Sequence, residues 1–168
     1  RRLSAYSGTS LLCLADIAEP TKPDNIDELA FIFASHSPRD LIRIGYKILT
    51  EQVEYDSTSS KLQTTAIYTA INKFCAQRAT ELFSKQRILR ELRKVHQVDF
   101  TIPYLANEIF KEKQSSTRNR LMVWREQAAI IDVERIEVSN TDNVRNVKLF
   151  AIKDIRVARE IFSELDVP

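Results

Sequence analysis

The chain has 168 residues, 43% hydrophobic and 29% charged, with a formal net charge of +2, an ordinary balance for one domain or two small ones. Only two glycines are present, which disfavours a glycine-rich phosphate loop and a turn-rich all-β fold. No apolar run reaches the roughly 18 residues of a membrane span, and no signal-peptide pattern is visible.

Cys13 and Cys75 lack metal-ligand spacing and sit in apolar surroundings, so two buried thiols in a reducing, cytoplasmic setting are expected, with no metal site. The chain opens Arg1-Arg2 without an initiator methionine, and the expectation is a piece of a longer protein. Charge is unevenly placed. Between Lys85 and Arg125 there are ten basic residues against four acidic ones, so the remainder is net acidic, an asymmetry that suits a polyanion partner.

The stretch "SLLCLADIAEPTKPDN" reads as a short apolar helix closed by Pro20 and Pro23. Asp24 or Asn25 then caps a helix whose Ile26, Leu29, Phe31, Ile32 and Phe33 are expected to face a core. Ser37 is a good N-cap and Pro38 a good first helical residue, followed by an apolar stripe of Leu41, Ile42, Ile44, Ile48 and Leu49. After the polar loop "EYDSTSSK" a long helix is expected over 61–84, with Ala66, Ile67, Ala70, Ile71, Phe74, Cys75, Ala79 and Leu82 at helical spacing.

The pattern then changes. "QRILRELRKVHQ" predicts an amphipathic helix, "VDFTI" a short extended segment, "PYLANEIFK" a helix, "EKQSS" a turn and "STRNRLMVWREQAA" another helix. "IIDVERIEV" alternates as a strand, "SNTDNVRN" is a polar turn, "VKLFAIKD" a second strand and "IRVAREIFSEL" a closing helix. Helix, strand, helix, turn, helix, strand, loop, strand is the order of a winged helix. The expected fold is mainly α: a helical, lid-like bundle over 1–84, then a winged-helix domain over 85–168 with a small β-hairpin wing.

In that arrangement the third helix reads nucleic acid. Thr117, Leu121, Trp124 and Ala128 make its buried stripe, with Arg118, Asn119, Met122 and Arg125 on the opposite side and Arg120 toward the flank. Arg and Asn are the side chains that read guanine and adenine edges. Ser115 and Ser116 lie at the helix start, where free N–H groups favour phosphate. Lys111 and Lys113 precede the helix, and Asn143 and Arg145 lie in the wing. The expected contacts are therefore Lys113, Ser115, Ser116, Arg118, Asn119, Arg120 and Arg145, on double-stranded DNA. Against this, winged helices also dock proteins, and Asp132, Glu134 and Glu137 on the first wing strand would repel a duplex. His36 and His96 are read as structural or surface residues, and Glu108 with Glu112 as a solvated helix face. Nothing has the pattern of a catalytic serine elbow, a Cys-His cluster or a carboxylate pair, so no catalytic residue is assigned.

About the first 55 residues resemble the region after the catalytic core of P-loop ATPases of the AAA+ and STAND type. The residues that carry this are Arg2-Leu3-Ser4-Ala5-Tyr6-Ser7 and Ser37-Pro38-Arg39-Asp40-Leu41-Ile42-Arg43. The resemblance implies a helical lid whose Arg39 senses the terminal phosphates of ATP bound by the core, with Arg43 pairing to Asp40 or to that core. A guanidinium on the first turn of a proline-started helix suits a two-pronged phosphate contact. The sequence departs from the family in having no GxxxxGK[ST] loop and no strand ending in paired acids for magnesium. The expectation is therefore not an enzyme by itself, with no cofactor of its own. It is the nucleic-acid-binding end of a larger ATPase, with the motor in cis and ATP bound there, and a homo-oligomer is open. The alternative is a winged-helix module for protein interaction or oligomerisation.

Overall fold

A computed structural model describes residues 13–19, 25–83, 86–140 and 143–162. Arg2 to Ser7 of the lid-like phrase, and Pro20 and Pro23, lie outside the described residues. The chain divides into two compact units, Arg1–Gln77 and Arg78–Pro168. It is mainly helical, with one small antiparallel sheet.

In the first unit a 3₁₀ turn, Leu14–Ile17, precedes helix α1, Ile26–Ala34. The Asp27 carboxylate accepts the Leu14 and Ala15 N–H groups at 3.0 and 3.1 Å, which ties the turn to the helix. Asn25 is the cap: its side chain accepts the Glu28 N–H at 3.1 Å. Ser35 and His36, with φ of 50° and 61°, stop the helix in the left-handed region. Ser37 and Pro38 then start α2, Pro38–Tyr55, with the Asp40 N–H on the Ser37 hydroxyl. Helix α3, Thr64–Leu82, begins in this unit and ends in the second.

Ile26, Ala30, Phe33, Ile44, Ile48, Leu62, Ile67, Ile71 and Phe74 form one core. The expected apolar faces are narrower than the sequence suggests. Phe31 and Ile32 on α1 are exposed, and on α2 only Ile44 and Ile48 of the expected stripe are buried, while Leu41, Ile42 and Leu49 face outward. A helix of this kind buries one sector only, and α2 completes its inner face with polar side chains, Asp40 and Gln52. Gln52 is satisfied: it accepts the Gln63 N–H at 2.7 Å and donates to the Asp56 carbonyl at 3.0 Å. Cys75 is buried as expected, whereas Cys13 is only half-buried; both are free thiols.

The second unit contains α4, Gln86–Leu92; β1, Asp99–Thr101; α5, Ile102–Tyr104, which continues as a π turn over Leu105–Ile109; and α6, Gln114–Glu126. Strands β2, Ile130–Asn140, and β3, Asn143–Ile152, form a hairpin, and α7, Ile155–Phe162, closes the unit. The sheet order is β1-β3-β2, all antiparallel, with Phe100 opposite Phe150 and Ile130 opposite Ile152. A register shift between Asp132 and Arg135 bends the hairpin near its base.

The hairpin is longer than expected. The "SNTDNVRN" stretch, read as a turn, is paired as far as Asn140 with Asn143. Helix α4 is shorter than its pattern: it stops at Leu92, and Lys94 and Val95 form a turn before His96, at φ 52°. Helix α6 likewise ends before Ala128, which turns left-handed at φ 53° and is exposed; Ala129 takes the buried position instead. Trp124 is fully buried, edge-on to Phe100 and Phe110 at 6.2 and 6.0 Å between ring centroids. Behind it lie Leu92, Val95, Leu105, Leu121, Phe150 and Val157.

Gly45 sits inside α2, where glycine costs about 1 kcal/mol against alanine. A Cβ built there meets nothing within 4 Å. Gly45→Ala is therefore expected to stabilise the chain by about 0.5–1 kcal/mol, read as a rise in melting temperature at low protein concentration.

Candidate functional site

Helix α6 begins at Gln114, with Lys113 extended at the cap position and no side chain closing its first turn. Thr117, Leu121 and Trp124 point into the core and so fix which residues face outward. Arg118 shares its sector with Met122 and Arg125, and all three are exposed. Lys113, Ser115, Ser116 and Asn119 are exposed as well. Among the described residues Arg118 has no ion-pair partner. Arg125 is held at 3.0 Å from Asp132, which also accepts Lys148 at 2.7 Å. The acid on the first hairpin strand is thus bracketed by two cations. Glu134 and Glu137 lie on β2, and Arg145 lies on β3 opposite Val138.

The expected contact residues do not form one surface. Ser116, Asn119 and Arg120 turn away from Arg118 and line a cleft of about 390 Å³ with Arg87 and Ile88 of α4. Arg120 is mostly committed to partners within the unit. Its guanidinium lies 4.3 Å from the Phe110 ring centroid and bonds Glu91 on one side and Glu112 on the other, at 3.2 and 3.3 Å for the latter. Glu91 also accepts the Trp124 indole N–H at 3.0 Å and Arg87 at 3.0 Å. Glu112 accepts the Thr117 hydroxyl at 3.0 Å. Glu112 is therefore not on a solvated helix face, as its spacing from Glu108 suggests, but in a half-buried network.

The sequence reading missed Glu91 and Glu112 as organising residues. One signal was available: Glu91 is the only acid in "QRILRELRKV", four residues after Arg87.

The hydrogen bond from Arg120 holds the Glu112 carboxyl below the usual range, helped by the Thr117 hydroxyl and against the opposing effect of burial. The same bond raises Arg120. On α2, Arg39 is exposed on the first turn and Arg43 pairs with Asp40 at 3.5 Å. His36 and His96 are exposed, and no group of three metal-ligating side chains occurs among the described residues. No described helix is long and apolar enough to cross a membrane.

Comparison with family models, with characterised proteins and with solved structures gives no match to this chain.

Trp124 is the only tryptophan, so its fluorescence reports the second unit's core. Arg120→Ala is expected to destabilise this unit by about 1–3 kcal/mol in urea titrations, because two half-buried carboxylates, Glu91 and Glu112, lose their shared partner. An unfolded glutamate titrates near about pH 4.3, and folded Glu112 titrates lower. Its contribution is then complete above that value and is lost as pH falls through the folded value. Acidification below about pH 4 should reduce wild-type stability, and Arg120→Ala should flatten that dependence.

Proposed function

We propose that the second unit is a winged helix that binds double-stranded nucleic acid through α6. The observation that carries this reading is Arg118: an exposed arginine with no ion-pair partner among the described residues, on the outward sector of α6. The element order from α4 to β3 and the antiparallel hairpin support the fold assignment. In this reading Lys113, Ser115 and Arg118 meet phosphates or base edges, with Arg145 approaching from the hairpin. Arg120 acts through Glu91 and Glu112 as a positioning residue for α6.

The first unit is, in the same reading, the lid of a P-loop ATPase whose motor supplies ATP, with Arg39 as its phosphate sensor. The exposed first-turn placement of Arg39 supports this. A second reading, protein docking, draws on the mixed-charge cleft between α4 and α6, which the exposed Val123 helps to line.

Fluorescence anisotropy with a labelled duplex at two salt concentrations separates these readings. Affinity should fall steeply with salt. Arg118→Ala should cost about 1–3 kcal/mol and lower the salt slope by about 1. It should leave Trp124 fluorescence and urea stability unchanged. No binding at low salt would overturn the nucleic-acid reading.

A further inference from the structure

Helix α2 carries a second apolar face that the core does not use. Ile42, Tyr46, Leu49 and Val53 are 67%, 71%, 48% and 65% exposed. Their spacing of i, i+4, i+7 and i+11 puts them within a sector of about 60°, at about 100° per residue. The stripe runs for three turns opposite buried Ile44 and Ile48. Single exposed apolar residues are ordinary, but an aligned row of four large ones is a contact surface.

Two further features say what covers it. The first is charge. Arg39 and Arg43 border one edge of the stripe near its start, and Glu54 borders the same edge near its end. Arg43 is 3.5 Å from Asp40, and Glu54 is 3.9 Å from Lys73, yet Glu54 keeps 64% of its side chain exposed. When two copies of a helix meet antiparallel about a two-fold axis, like edges face each other. The basic end of each edge then meets the acidic end of the other, and the helix dipoles oppose favourably. The second feature is Gly45, beside Leu49 on the other edge. A Cβ there would touch nothing in this chain, so no internal packing accounts for a glycine in mid-helix. Close approach of a second helix backbone does account for it.

We propose that α2 pairs with α2 of a second copy of this chain, antiparallel, about an axis crossing midway between Tyr46 and Leu49. Ile42 then lies opposite Val53 of the second copy, and Tyr46 opposite Leu49. Arg39 and Arg43 reach Glu54. Three turns make a small interface, so the dimer forms in the micromolar range. This inference stands apart from the nucleic-acid reading, since none of its residues lies on α6; Arg39 is the one residue it shares with the lid reading, and the two assign it different partners.

Sedimentation velocity of the full chain over a concentration series tests it. A reversible monomer–dimer equilibrium is expected. Tyr46→Glu should weaken it at least tenfold, and Met122→Glu, at an exposed apolar residue elsewhere, should not. Gly45→Leu should weaken the dimer while leaving the monomer's circular dichroism unchanged, because the site is open within one chain. Glu54→Arg should weaken it about fivefold, through the two symmetry-equivalent Glu54 contacts. Adding Arg39→Glu to Glu54→Arg should restore most of the loss. A monomer at every concentration up to a few hundred micromolar overturns the proposal, as does a dimer insensitive to Tyr46→Glu. A charge exchange that fails to restore association overturns the antiparallel register.

Discussion

The guanidinium of Arg120 lies over the Phe110 ring and between the carboxylates of Glu91 and Glu112, and the position of α6 depends on it. Glu91 comes from α4, Glu112 from the turn before α6, and Phe110 from the end of the π turn. One planar cation with several donors thus joins three pieces of chain. The indole N–H of Trp124 uses the remaining capacity of Glu91, so the buried aromatic and the ion pairs form one network. Such groups act as a unit, because the loss of one partner strands charge in a half-buried place.

This arrangement decides what α6 can offer. With Thr117, Leu121 and Trp124 turned inward and Arg120 committed to carboxylates, the outward cations are Arg118 and the Asp132-paired Arg125. Nucleic-acid contact, if α6 makes it, rests on few residues. Most of its strength would then come from phosphate electrostatics rather than base reading.

The first unit solves a different problem. Helix α2 buries a face that is part apolar and part polar, with Gln52 bonded to both ends of the following loop and Asp40 paired to Arg43. Its opposite face is apolar without being buried. A helix that is apolar on two sides has more than one surface to satisfy, and only one of them is covered by α1 and α3.

Most of the element order was legible in the sequence. Ser37-Pro38 started α2, Asn25 capped α1, and the alternation of "IIDVERIEV" gave β2, because caps and periods are local and act over a few residues. Trp124 was readable as core from its place in the α6 stripe. The sequence could not tell which of two apolar sectors of α2 turns inward, since both keep helical spacing and the choice depends on the neighbours. It could not show that Arg120 is spent internally, because Glu91 lies 29 residues away in the chain. Nor could it show how far the hairpin would stay paired, since Asn and Ser at its tip read as turn until a partner strand supplies hydrogen bonds. Local chemistry set where the elements begin and end; burial and long-range charge pairing, which exist only in the folded chain, decided which side chains remain available for function.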